Sequence, residues 1–150
     1  MKIRLLIVDD EKDFTDSLAE RLEFRDFDVS KAYSGEEAVG MVKEYNYDVV
    51  ILDVAMPGMD GVQTLREIKN LKPLTEVIML TGHATVETAI EGMKLGAYDY
   101  LLKPTEIDDL VTKVQAAYSR KAEQEERIRK AKMMRYFESP RAVLEDKEDP

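Results

Sequence analysis

Polar residues capable of chemistry stand where the apolar runs of this chain stop. The stretch LLIVDDEKDF, residues 5–14, passes from Leu and Val directly into Asp9, Asp10 and Glu11, with Asp13 close behind. Adjacent carboxylates at the end of a buried segment repel one another and lose hydration, so the arrangement needs a compensating charge. A second run, VVILD, ends in Asp53; a third, EVIMLT, ends in Thr81-Gly82; a fourth, DYLLK, ends in Lys103-Pro104. Gathered in one place, these side chains have a definite chemistry. The carboxylates suit a hard divalent cation such as Mg2+, which takes a few carboxylate oxygens, keeps waters and completes its shell with a phosphate. Lys103 can pair with a phosphoryl oxygen, and the Thr81 hydroxyl can donate to another. A carboxylate placed among such groups, as Asp53 would be, can act as a nucleophile and form an acyl phosphate. Metal and ammonium would then stabilise charge on the transferring group.

These residues meet only if a sheet positions them. Runs of strand length recur along the chain: IRLLIV (3–8), DVSKAY (28–33), DVVILD (48–53), EVIMLT (76–81) and DYLLK (99–103). The first, third and fourth are nearly continuous in Val, Ile and Leu, the pattern of parallel strands buried on both faces. Helical periodicities lie between them. Phe14, Leu18 and Leu22 recur at every fourth position, and Ala38, Val39 and Val42 line a second helix behind a capping box of Ser34 and Glu37. Leu65 and Ile68 mark a third helix that Pro73 ends, and Ala89, Ile90 and Met93 a fourth that Gly96 ends. Ile107, Leu110, Val111 and Val114 form the apolar face of a fifth, opened by Thr105 with Asp108. Strands alternating with helices in this way predict an α/β fold, a doubly wound five-stranded parallel sheet. In such sheets ligands bind beyond the carboxyl ends of the strands, where the strand order reverses. The polar residues singled out above all fall at strand ends.

The 150 residues suffice for one domain with a proper core. The absence of cysteine excludes disulfides, thiolate zinc sites and cysteine nucleophiles. No apolar run approaches membrane-spanning length, and the basic start turns acidic too soon for a signal peptide, so a cytoplasmic protein without a membrane partner is expected. Charge divides the chain unevenly. Residues 1–118 carry 13 Lys and Arg against 23 Asp and Glu, net −10, whereas residues 119–150 carry 9 against 8, net +1. So acidic a main domain argues against direct DNA binding. The expected organisation is a domain over 1–118, a charged helical extension over 119–138 and a disordered tail over 139–150. Within the extension, Lys121 and Gln124 interrupt a coiled-coil seam, which favours a helix projecting into solvent. Arg127, Arg129, Lys130, Lys132 and Arg135, beside MMRYF and with no acid among them, could instead form a contact surface for an acidic partner.

Asp9-Asp10, Asp53 followed by VAMPGMDG, Thr81-Gly82 and YDYLLKP together resemble the receiver domain of two-component response regulators, over residues 3 to about 118. The resemblance implies a flavodoxin-like (βα)5 sheet of order 2-1-3-4-5, here with an extended C-terminal helix. It implies that Asp53 accepts a phosphoryl group from the phosphohistidine of a sensor histidine kinase or phosphotransfer protein. Asp9, Asp10, Asp53 and the backbone carbonyl of Ala55 would hold Mg2+, and Thr81 and Lys103 would bond the phosphoryl group. Tyr100 would swing with Thr81 as the switch residue, and the Lys103–Pro104 peptide would be cis. Ala55 and His83 would tune phosphoryl lifetime through water access. Output would pass through a protein contact or self-association around the fourth strand and fifth helix. Such a protein is a phospho-acceptor rather than an enzyme.

Other readings stay open. A Mg2+-dependent aspartyl-phosphate phosphatase commonly resembles a pattern with a second acid two residues after the nucleophile, where this chain has Ala55. A scaffold independent of phosphorylation needs none of the chemistry. A nucleotide- or flavin-binding module would want a glycine-rich phosphate loop after the first strand, and DDEKDF would repel an anion there. His83 is the only histidine, so it cannot build a histidine-rich metal site, and a phosphohistidine donor must belong to a partner.

Overall fold

The structure, a computed structural model, describes residues 2–138. In chain order its elements are β1 (Arg4–Val8), α1 (Lys12–Phe24), β2 (Asp28–Ala32), α2 (Gly35–Glu44) and β3 (Val49–Leu52), then α3 (Gly61–Leu71), β4 (Glu76–Thr81), α4 (Val86–Lys94), β5 (Asp99–Leu102) and α5 (Ile107–Glu138). The strands form one parallel sheet in the order β2-β1-β3-β4-β5, as expected. Side chains alternate across it. Leu6, Val8, Val50, Leu52, Val77 and Met79 face one core with Ala38, Val42, Leu65 and Ile68. Leu5, Ile7, Val49, Ile51, Ile78 and Leu80 face the other with Leu18, Leu22, Leu110 and Val114. Burial on both sides explains why β3 and β4 read as unbroken apolar runs.

The order reverses at β1, which has β2 on one flank and β3 on the other. Register fixes what emerges there. Val8 pairs with Leu52, so Asp9 and Asp53 leave adjacent strands at the same level. The Asp53 N–H donates to the Val8 carbonyl at 2.9 Å, and the Asp9 N–H donates to the Ala32 carbonyl at 3.1 Å.

Local capping departs from the sequence reading in places. Ser34 accepts from the Glu37 N–H at 3.1 Å, but the Glu37 carboxylate reaches back to the Tyr33 N–H at 2.8 Å, one residue beyond the expected partner. Thr105 does not cap α5; its hydroxyl donates to the Leu102 carbonyl at 2.6 Å, satisfying the end of β5 instead. Asp60 caps α3 through the Gln63 N–H, and Thr85 and Thr88 form a reciprocal box at the start of α4.

α4 also turns a different face inward. Ile90 and Met93, whose spacing marks the helix in the sequence, are 50% and 48% exposed, and the buried residue of the helix is Gly92. A Cβ at Gly92 would stand 2.7 Å from the Met79 sulfur, so the helix backbone itself packs on β4 and the apolar stripe is rotated outward. α5 passes residue 118 without a break. Ala117 is fully buried, Arg120 pairs with Glu76, and Lys121 lies 3.2 Å from Asp48. No helix among the described residues is long and apolar enough to cross a membrane. The expected tail over 139–150 lies outside the described residues.

Candidate functional site

One carboxylate oxygen from each of Asp9, Asp10 and Asp53 lies within 4.8 Å of the others. The three are unequal in setting: Asp9 and Asp53 are buried, whereas Asp10 is exposed and faces solvent at the rim. The loop after β1 is held in place by its own bonds. Asp9 Oδ1 accepts from the Glu11 N–H at 3.0 Å, and the Thr15 hydroxyl donates to the Asp9 carbonyl at 3.0 Å. Asp53 Oδ1 accepts from the Val54 N–H at 2.9 Å, which fixes the orientation of that carboxylate.

Lys103 crosses from the end of β5 into this cluster. Its Nζ donates to Asp9 Oδ2 at 2.7 Å and to Glu11 Oε1 at 3.1 Å, and lies 4.0 Å from the centre of the Phe14 ring. Its backbone N–H donates to the Thr81 carbonyl at 2.9 Å, which ties β5 to β4 beside the site. The Lys103–Pro104 peptide is cis. Burial pushes the Asp9 carboxyl above the usual carboxylate range; the Lys103 bond and the Glu11 N–H pull it back without cancelling the rise, and the Asp53 charge adds to it. Burial alone would lower the Lys103 ammonium, but the Asp9 and Glu11 carboxylates outweigh it and hold the group above an ordinary lysine.

A divalent cation fits this donor set. It consists of hard oxygen ligands at mutual reach, two of them desolvated, with the innermost carboxyl held at a cost in its charged form. Thr81 is fully buried at the neighbouring strand end, and its hydroxyl accepts from the His83 N–H at 3.1 Å. Ala55 and His83 are exposed on the loops after β3 and β4. Tyr100 stands apart from the carboxylates: it is half-buried on the α4 side of the sheet, its hydroxyl 2.9 Å from Thr88 Oγ1.

Some participants were not assigned to the site from sequence. Glu11 shares Lys103 with Asp9, and Phe14 lies against the ammonium. Gly61 sits so close beneath the end of β3 that a Cβ there would lie 2.1 Å from the Asp53 carbonyl oxygen. Its N–H donates to the Val54 carbonyl at 2.8 Å, drawing the start of α3 under Asp53. The sequence signal for Gly61 was only that of a turn residue.

Residues 5–115 match the model of the response regulator receiver domain. The chain belongs to that family. It is 43% identical over 109 residues to the transcriptional regulatory protein ZraR of Salmonella typhimurium, covering 73% of this chain and 25% of ZraR. It is 32% identical over 120 residues to the response regulator MprA of Mycobacterium bovis, covering 80% of this chain and 52% of MprA. The chain thus spans about a quarter of the length of the first curated relatives it matches. A CheY-like receiver domain structure from Methanospirillum hungatei superimposes with a TM-score of 0.80 at 28% identity, covering 83% of this chain and 99% of that one. A response regulator from Burkholderia pseudomallei, solved with a phosphorylated aspartic acid, a calcium ion and citrate, matches with a TM-score of 0.73 at 27% identity, covering 83% and 73%. As a receiver domain, the chain is a signalling phospho-acceptor whose acidic triad is able to bind a metal ion.

Proposed function

We propose that Asp53 of this receiver domain accepts a phosphoryl group from the phosphohistidine of a sensor histidine kinase or phosphotransfer protein. The carrying observation is the convergence of Asp9, Asp10 and Asp53, with Lys103 bonded into the same cluster. Asp9, Asp10, Asp53 and the backbone carbonyl of Ala55 would hold Mg2+, which when bound neutralises charge on the phosphoryl oxygens. The likeness to a structure holding both a phosphorylated aspartic acid and a calcium ion supports this assignment.

In the transfer, an Asp53 oxygen attacks phosphorus as the phosphorus–nitrogen bond to the donor imidazole breaks, and the imidazole nitrogen keeps that electron pair. Lys103, already beside the carboxylates, can shift toward a phosphoryl oxygen and stabilise its charge. Thr81 accepts its present hydrogen bond from the His83 N–H, so its own proton is left to donate to another phosphoryl oxygen. That donation would displace the end of β4, and Tyr100, bonded to Thr88 of α4, would carry the change to the α4–β5 surface. Ala55 and His83 flank the acceptor from their loops and set water access. A partner of this kind would place the domain in the cytoplasm.

Transfer from a phosphorylated histidine kinase core tests the reading. Label should leave the kinase and appear on the chain in Mg2+, and not on Asp53→Asn. Equal labelling of that variant would contradict the assignment.

A further inference from the structure

Glu11 occupies the N-cap position of α1, where a short hydroxyl or carboxylate side chain ordinarily bonds the first free N–H groups of the helix. Its side chain makes no such bond. The carboxylate turns instead to Lys103, accepting from Nζ at 3.1 Å. The backbone at this position is fixed on both sides. The Glu11 N–H donates to Asp9 Oδ1 at 3.0 Å, and its carbonyl accepts the Thr15 N–H and the Thr15 hydroxyl, each at 2.9 Å. A closed ring results: residue 11 clamps one oxygen of Asp9 through its N–H and reaches the other through Lys103, whose Nζ donates to Asp9 Oδ2 at 2.7 Å.

The ring leaves the ammonium committed. Among the described residues, Lys103 forms ion pairs with Asp9 and Glu11 and none with Asp53. An ammonium has three protons, and two of its directions are taken by these acids. The Phe14 ring, 4.0 Å from Nζ, attracts the cation on a further side. Lys103 must therefore give up a partner before it can bond a phosphoryl oxygen. The two acids differ in what they lose on release. The Asp9 side chain is 3% exposed and would be left charged in the interior, whereas that of Glu11 is 63% exposed and regains water. Glu11 is the partner that yields, and the strength of its hold sets how readily the ammonium leaves.

We propose that Glu11 is a positioning residue that holds Lys103 in a resting berth beside Asp9 and competes with a phosphoryl oxygen on Asp53 for the ammonium. The proposal deepens the acceptor reading above and rests on it. Glu11 acts through Lys103: it weakens the hold of the site on the phosphoryl group by keeping the cation occupied in the resting state. Residue 11 thereby sets how firmly the site retains its signal without touching the acceptor itself.

Glu11→Gln, which keeps the side-chain length and the backbone N–H while removing the charge, tests this in the full chain through two measurements of opposite expected sign. In urea without metal, the substitution should raise the unfolding constant about two- to fivefold, the range of an exposed ion pair, and should leave it unchanged in a Lys103→Met background. With Mg2+ and beryllofluoride, which stands in for the phosphoryl group on Asp53, it should tighten binding about threefold or more, read by fluorine NMR. Asp13→Asn removes an equal charge from an exposed acid in the first turn of α1 and should tighten binding less. A Glu11→Gln protein that binds beryllofluoride no more tightly than Asp13→Asn, or whose loss of stability persists in Lys103→Met, would overturn the proposal. An Asp53-dependent signal that ignores Glu11 removes this proposal alone; beryllofluoride bound equally by wild type and Asp53→Asn would bring down the acceptor reading and the proposal with it.

Discussion

Lys103 serves two acids at once, and its removal would leave the buried one, Asp9, without its cation. In Lys103→Met, the Asp9 carboxylate stays buried without its cation while Asp53 remains beside it. The expected loss is about 2–3 kcal/mol in metal-free protein, by analogy with breaking a buried pair. Mg2+ should recover part of it, because a ligand bound only by the folded state stabilises that state. Urea unfolding with and without Mg2+ checks both; a variant as stable as wild type without metal would show that Lys103 does not hold Asp9. The raised Asp9 carboxyl has its own signature. Since the folded state binds this proton more readily than the unfolded chain, its contribution is fully present below the ordinary value of 3.8 and lost as pH rises through the folded value. Metal-free wild type should therefore lose stability relative to Asp9→Asn as pH is raised above 3.8, and parallel pH profiles would contradict the shift. Asp9, Asp10, Asp53 and Lys103 were legible in sequence because each interrupts or ends an apolar run. Glu11 and Phe14 were not, since a linear pattern cannot say which acid after β1 reaches a lysine from β5, or that a ring on the α1 face lies under its ammonium.

At the scale of elements, the strands were legible almost to the residue because burial on both faces leaves little room for anything but Val, Ile and Leu. α4 was harder. Spacing identified the helix but could not reveal its inward face, because Gly92 lets the backbone pack where a side-chain stripe would ordinarily go. α5 shows the limit of charge as a boundary marker. The composition changes near residue 118, yet Arg120 and Lys121 are ion-paired to the buried Glu76 and Asp48. Ending the chain after Tyr118 removes both cations and leaves those acids to Lys69 and Arg4. Such a truncation should cost about 3 kcal/mol, whereas ending after Glu126 should change the unfolding free energy by about 0.5 kcal/mol or less. Equal stabilities in urea would show that the pairs contribute nothing to anchoring α5.

The whole molecule separates its two ends. Strand order and register bring Asp9 and Asp53 together at the carboxyl edge of the sheet, while α5 leaves past the amino-terminal edge with its last turns exposed. Between them, Tyr100 and Thr88 join β5 to α4. That layout suits a domain that receives a signal at one edge and presents it on a side surface. The sheet order could be carried over from family resemblance, and the register that levels the two carboxylates became visible only once the strands were paired. The central claim is that Asp53 is the residue this arrangement prepares for phosphorylation. Intact-mass measurement after acetyl phosphate treatment, with and without Mg2+, tests it most directly. A gain of one phosphoryl group that requires Mg2+ and vanishes in Asp53→Asn is the predicted result. The same gain in Asp53→Asn, or a gain indifferent to Mg2+, would contradict it.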